Sequence, residues 1–141
     1  MKYLTTLFLI PFILTGCILK YEDVSNEPEY KQLLNTRYSL KTRMVISGIN
    51  LPPGYGKDIN IYVVYPLVSG RITGPKIISE EILHSSTIIE VLGVRKSVNH
   101  IPGYQSIDAI ITVYPYEKAT NVPVVIDLRY LQSTNYVQKL K

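Results

Sequence analysis

The side chains that most often carry out chemistry in proteins are few in this chain and lie far apart. The two histidines, His84 and His100, stand 16 positions apart, and neither belongs to a short-range ligand pair. Because a zinc site needs three or four ligands, this spacing predicts two solvated loop histidines and no metal site. No Gly-x-Ser-x-Gly segment marks a hydrolase nucleophile. The stretch GYGKD contains Gly-Lys but lacks the spacing of a phosphate-binding loop.

The carboxylates are also poorly arranged for acid–base catalysis. Glu80 and Glu81 are adjacent on a predicted strand, where neighbouring side chains point to opposite faces. Paired acid–base chemistry requires two carboxylates across one cleft. Asp58, Asp108 and Asp127 are scattered along the sequence. We therefore predict that the protein is not an enzyme and that it carries no cofactor.

The single cysteine, Cys17, ends the first hydrophobic run of the chain. Lys2 precedes an apolar stretch from Leu4 to Leu14, which is shorter than the roughly 20 residues that a membrane-spanning helix needs. Its length and flanks predict a secretory signal. The residues Leu14-Thr15-Gly16-Cys17 resemble the lipobox of bacterial lipoproteins. An ordinary signal peptide, or an uncleaved anchor with an incidental cysteine, is the alternative.

The resemblance to bacterial lipoproteins implies a lipid-anchored mature protein. In that family a diacylglyceryl group is attached to the cysteine sulfur, the signal is cut between the positions of Gly16 and Cys17, and the new amino group is usually acylated. Cys17 would then be the lipidation site and the contact with the membrane, unavailable for a disulfide or for catalysis. Ile18 stands where an aspartate would favour inner-membrane retention. The resemblance thus implies an outer-membrane lipoprotein that faces the periplasm.

Composition predicts one domain on a short tether. Cleavage before Cys17 removes 16 of the 141 residues and leaves 125, which is enough to bury a core without a disulfide. Only Lys2 of the 15 basic residues is lost, so 14 basic and 11 acidic residues remain. This mild positive charge does not predict nucleic-acid binding, which needs a dense basic cluster. We expect a signal peptide at 1–16, a lipidated tether at 17–26 and a single β-rich domain at 27–141.

Hydrophobic periodicity predicts an all-β fold of about six strands with one short N-terminal helix. Pro28 suits the first turn of that helix and Asn35 its end. From Arg37 onward, apolar residues alternate with polar ones between turns rich in Pro and Gly. Gly93 is a candidate β-bulge. The stretch GPKIISEEILHSSTIIEVLGV resembles the hairpin of SH3-like barrels, so we expect a small SH3-like barrel or a β-sandwich.

Two stretches of the chain resemble each other. PGYGKDINIYVVYP at 53–66 matches PGYQSIDAIITVYP at 102–115 at seven of fourteen positions without gaps. The match indicates a duplicated loop–strand unit, or else the small residue alphabet of strands and turns. Each PGY loop precedes a predicted strand, so Tyr55 and Tyr104 are expected to lie at one end of the domain. We predict them as contacts for a partner protein.

A basic pattern marks the first predicted strand of the domain. Arg37, Lys41 and Arg43 alternate with apolar neighbours and are expected to form one stripe. Such a stripe would contact an acidic partner in the periplasm, either a protein surface or the phosphates of lipids. The alternative is a solvated strand face whose positive charge discourages strand addition.

These observations favour a protein that acts by binding. A lipobox, a short tether, a compact domain and no catalytic set resemble the small membrane-anchored immunity proteins that neutralise type VI secretion effectors, often lipases. A structural or assembly lipoprotein of the cell envelope or of a secretion machine is the alternative, and a ligand-binding or enzymatic lipoprotein is a third. The resemblance is one of architecture, so it implies the class of partner and no contact residues.

Overall fold

The fold is defined by a computed structural model that describes residues 20–51, 58–69, 76–98, 106–115 and 121–141. Gly16, Cys17, Tyr55, Tyr104 and His100 lie outside these described residues. The described elements are β1 (Tyr21–Asp23), α1 (Pro28–Lys31), β2 (Arg37–Leu40), β3 (Met44–Asn50), β4 (Ile61–Pro66), a 3₁₀ turn (Leu67–Ser69), β5 (Lys76–Leu83), β6 (Ile88–Ser97), β7 (Ile107–Tyr114), β8 (Val124–Asp127), α2 (Leu128–Leu131) and β9 (Val137–Lys139).

All nine strands belong to one mixed sheet. The strand order is β5-β3-β4-β8-β7-β6-β2-β9, and β1 pairs with β6 beside this path. Only β4 and β8 run parallel; the other described pairs are antiparallel. The long strand β6 therefore carries β2 along its first half and β1 along its second half, both on the edge opposite to β7.

The connection from β2 to β3 requires a strongly curled sheet. The two strands lie five positions apart in the strand order, which in a flat sheet would separate them by about 24 Å. The four steps from Leu40 to Met44 can span at most about 14 Å. The sheet therefore bends back until β2 approaches β3, but it is not closed into a barrel.

The predicted all-β character is confirmed, but the expected barrel or sandwich of about six strands is corrected to one open sheet of nine. The first predicted strand is two strands, because the chain bends at residues 41–43. The three-residue strands β1 and β9 are too short for alternation to be visible. β1 lies in the segment expected as a tether, and β9 near the end of the chain.

Alternation along the central strands builds the main core. Ile89, Val91 and Val94 of β6 are fully buried and lie on one face, the core face, with neighbours from most other strands. The predicted bulge at Gly93 is confirmed by the register shift between Val91 and Gly93, which keeps Val94 on the core face. A smaller buried cluster of Ile49, Ile61 and Val125 lies on the second face.

The predicted N-terminal helix is confirmed as the single turn α1. Pro28 occupies its first turn, and Asn35 adopts a left-handed φ of 57° just after it. Tyr30 is buried and docks the turn onto the core face. The second helical turn, α2, follows β8 directly; Asp127 ends β8 by accepting a hydrogen bond from the Arg129 backbone N–H at 2.8 Å. Among the described residues, no helix has the length and hydropathy needed to cross a membrane.

Replacing Gly48 by alanine is expected to lower the free energy of unfolding by about 1–3 kcal/mol, the usual cost of overpacking. A Cβ at Gly48 would lie 2.5 Å from Ile59 Cδ1 and 2.6 Å from Ser79 Oγ. Gly93→Ala is the matched control, because its Cβ would meet Ser25 Oγ at 3.2 Å and needs only a small adjustment. Urea unfolding measures both variants, and equal losses would contradict the assignment of strain to Gly48.

Candidate functional site

A shallow groove of about 490 Å³ opens at the end of the sheet where β6 begins and β7 ends. We call it the tip groove; its lining is formed by the β5–β6 turn, residues 84–87, and by Ile88, Tyr114 and Pro115. Ile88 and Tyr114 are direct partners in the β6–β7 ladder. Their exposed fractions are 36% and 42%, so an apolar pair faces solvent on the second face of the sheet.

A charged pair lies next to this apolar pair. Arg37 is the β2 partner of Glu90 on β6, and its Nε donates to Glu90 Oε2 at 2.9 Å. The Tyr114 hydroxyl donates to the same carboxylate oxygen at 3.4 Å, and the Arg37 Cζ lies 5.8 Å from the centroid of the Tyr114 ring. Because the Arg37 side chain is 60% exposed, this ion pair contributes little to stability, and its guanidinium remains accessible to a partner.

The predicted basic stripe is corrected, because its residues do not share one strand face. Arg37 is on β2, whereas Lys41 lies in the bend that follows and Arg43 directly precedes β3. The Lys41 Nζ donates to the Thr134 carbonyl at 2.6 Å. Polar and apolar residues keep alternating in the sequence beyond Leu40, but β2 ends there because the chain bends before β3 begins.

The bend between β2 and β3 nevertheless places the segment that carries Lys41 and Arg43 beside the turn that lines the tip groove. The Leu40 N–H donates to the Thr87 carbonyl at 2.9 Å, and the Ser86 N–H donates to the Leu40 carbonyl at 2.7 Å. Met44 is the ladder partner of Leu83. The bend at 41–43 and the turn at 84–87 therefore lie side by side, because the contacts of Leu40 and of Met44 hold them together at both ends.

The two predicted PGY contacts lie outside the described residues, but the strands that follow them are described. β4 runs parallel to β8, and β7 runs antiparallel to β8. β4 and β7 therefore begin at opposite ends of the sheet. The contact roles predicted for Tyr55 and Tyr104 fall at 52–57 and 99–105, outside the described residues, so they stay a prediction.

A second polar cluster, the ionic row, lies at the other end of β6 and β7. Arg95 and Asp108 are ladder partners, and their side chains are each only 13% exposed, with Nη2 and Oδ2 3.3 Å apart. The Arg95 Cζ lies 3.7 Å from the centroid of the Tyr21 ring on β1. The ionic row therefore fastens the short first strand to the centre of the sheet through a cation–π contact.

Burial dominates the electrostatics of this row. It raises the pKa of the Asp108 carboxyl, although Arg95 opposes the rise through its charge and its hydrogen bonds. Burial also raises the pKa of the Tyr21 phenol. Asp127, the β8 partner of Asp108, forms its own ion pair with Arg129 at 2.7 Å. Asp108 and Asp127 therefore each form an ion pair with an arginine, and the Arg95–Asp108 pair links β6 to β7.

The tip groove is also lined by His84 and by the hydroxyl residues Ser85, Ser86 and Thr87, but no hydrogen bond among the described residues joins the His84 ring to one of these hydroxyls. His84, the one described histidine, is exposed in the tip groove. Within the described part of the chain, no three His, Cys, Asp or Glu side chains come together as a metal site. An exposed aromatic ring and an aliphatic side chain line the tip groove, and the Arg37 guanidinium lies beside the Tyr114 ring; groups of these kinds are suited to binding a protein surface.

No family model, curated protein or solved structure matches this chain. Sequence reasoning named Arg37 but missed Ile88, Tyr114 and the Arg95–Asp108 pair. A signal for the pair was present, since Asp108 interrupts the apolar strand IDAIITVY and a charge there requires a partner.

Proposed function

We propose that this protein is a non-enzymatic lipoprotein, anchored to the outer membrane through Cys17 and facing the periplasm, that binds a partner protein through its tip groove. The best candidate partner is a secreted toxin or lipase effector, which makes the protein an immunity protein or inhibitor. The observation that carries the proposal is the position of the tip groove at the opposite end of β6 from the first described residues.

Chain length supports this orientation. Three steps separate Cys17 from Lys20, the first described residue, and they span at most about 11 Å. Tyr21, next in the chain, pairs with Ser97 at the end of β6. The ten residues of β6 extend over about 30 Å. A lipid on Cys17 would hold the Ser97 end of β6 near the membrane and direct the tip groove away from it.

The shape of the tip groove supports a protein partner. Inhibitory interfaces usually rest on a few aromatic and arginine side chains within a broader contact surface. Tyr114 and Arg37 supply both kinds, and Ile88 adds aliphatic area. A shallow opening of this kind suits an inserted side chain or loop.

A structural or assembly lipoprotein is the second candidate, and the edge strand β5 favours it. β5 is the last strand of the order, and β3 is its one strand neighbour among the described residues. Ile78 and Ile82 on this strand are 37% and 46% exposed. An exposed edge with apolar side chains can accept a strand from another envelope component.

Affinity purification of the full lipidated protein from its own cell envelope tests the proposal. Co-purifying proteins are identified by mass spectrometry, and siblings that secrete effectors are used to challenge a deletion strain. One stoichiometric secreted enzyme, together with sensitivity of the deletion strain, would support the inhibitor. Several envelope-machine components, together with a weakened envelope and no attacker, would replace it with the structural candidate.

The double variant Ile88→Ser/Tyr114→Ser is expected to reduce recovery of that partner at least about tenfold, because hot-spot losses of this kind exceed about 1.4 kcal/mol. Leu92→Ser/Val98→Ser is the matched control, since these side chains are 56% and 37% exposed on the same segment but outside the tip groove. Quantitative mass spectrometry of the purified complexes compares the two. Equal losses in both variants would exclude the tip groove as the contact.

A further inference from the structure

We propose that the tip groove selects an acidic segment of a partner protein, with one apolar side chain inserted between Ile88 and Tyr114. This inference rests on the proposed function for the direction in which the tip groove faces. It goes further by naming the chemistry that the groove recognises.

The charge beside the tip groove is positive among the described residues. Arg37, Lys41 and Arg43 lie on the segment that passes the turn at 84–87, and the Lys41 Nζ donates to the Thr134 carbonyl. Glu90 is the described carboxylate that lies beside the groove, and the Arg37 Nε already contacts it at 2.9 Å. A partner with carboxylates would complement this rim.

Among the described residues, the acidic pair on β5 does not offset the positive charge at the groove itself. Glu81 and Glu80 precede Leu83 by two and three positions on β5, beyond the corner. The Glu80 Oε1 accepts a hydrogen bond from the Tyr65 hydroxyl at 3.2 Å. These carboxylates therefore lie along the β5 edge, where they discourage strand addition by an acidic chain.

The apolar part of the recognition comes from the Ile88–Tyr114 pair. Both residues are partly exposed on the second face, and the Arg37 guanidinium lies toward the Tyr114 ring. An acidic segment that also carries a leucine or phenylalanine can bury that side chain against the pair while its carboxylates meet Arg37 and Arg43. Apolar burial gives affinity, and the surrounding charge gives selectivity and a faster approach.

A protein segment fits better than a membrane surface. The phosphates of anionic lipids are also negative, but they lie at the membrane, whereas the tip groove begins about 30 Å from the Ser97 end of β6. Lipid headgroups also provide no side chain for the Ile88–Tyr114 pair. The occupant we infer is therefore an acidic peptide segment.

Selection from a random peptide library displayed on phage tests the inference with the full-length protein in detergent micelles. Peptides are counter-selected against the variant Arg37→Ala/Tyr114→Ala, with Leu92→Ser/Val98→Ser as the control. The selected peptides are expected to carry several Asp and Glu residues around one apolar residue. Their affinity should fall at least about tenfold in the first variant, stay unchanged in the control, and weaken steeply with added salt.

Basic or neutral winners, or no winners that distinguish the wild type from the first variant, would overturn the inference. Displacement of the peptides by vesicles containing phosphatidylglycerol would overturn it in favour of lipid phosphates. The lipid anchor plays no part in this selection, and the charge of the partner plays no part in the envelope purification. Failure of the inference is thus distinguishable from failure of the proposed function.

Discussion

Cys17→Ser is expected to abolish acylation of the protein and to remove it from the outer membrane. A thiol is the nucleophile that receives the diacylglyceryl group in bacterial lipoproteins, and a serine hydroxyl does not replace it there. Each buried methylene contributes about 0.8 kcal/mol to membrane attachment, and stable anchoring takes two chains. Loss of all acyl chains would therefore remove the whole proposed membrane anchor.

Metabolic labelling with an alkyne fatty acid and separation of the two membranes on a density gradient measure this effect. Thr15→Ser is the control, because it keeps a small residue in the lipobox and leaves Cys17 unchanged. A Cys17→Ser protein that still carries the label, or still sediments with the outer membrane, would remove the lipoprotein assignment and with it the orientation of the tip groove.

Asp108→Ala is expected to lower the free energy of unfolding by about 3–5 kcal/mol, the usual cost of breaking a buried ion pair. Arg95 would remain only 13% exposed without the carboxylate that compensates its burial. The variant would also loosen β1, because the same guanidinium stacks on Tyr21. Urea unfolding of the full protein in micelles gives the free-energy change.

The double variant Arg95→Met/Asp108→Leu separates the charge from the packing. Replacing a buried ion pair by apolar residues of similar size is often neutral or stabilising, so most of the lost stability should return. If the double variant is as unstable as Asp108→Ala, the loss came from packing, and the ion pair is not the tie between β6 and β7.

The pH dependence of stability should carry the sign set by the raised pKa of Asp108. Because burial raises that pKa in the folded state, the folded protein holds the proton more tightly than the unfolded chain does. The contribution is fully present below the unfolded pKa of about 3.9 and is lost as the pH rises through the folded pKa. The unfolding free energy of the wild type relative to Asp108→Asn should therefore increase on acidification from neutral pH. A decrease would mean that the attraction of Arg95 outweighs burial.

Local patterns in the sequence determined which segments form the longer strands and the first helix. Alternation in β6 and β7 predicts the buried set that includes Ile89 and Val113, because side chains of a strand point to opposite faces by geometry alone. Pro28 marks the start of the first helical turn, and Asn35, four residues past Lys31, ends the turns that follow it with a left-handed backbone. The lipobox prediction at Leu14-Thr15-Gly16-Cys17 also rests on a local motif, and it stays a prediction.

The tertiary structure alone decided which residues meet. The parallel pairing of β4 with β8 makes β4 and β7 begin at opposite ends of the sheet, and no local signal specifies the direction of a strand neighbour 62 residues away in the chain. The corner between β2 and β3 brings Arg37 and Arg43 beside the turn at 84–87 through pairing with β5 and β6. Strand pairing is chosen by the burial of both faces of the whole sheet, and that is a property of the folded chain and not of any segment of it.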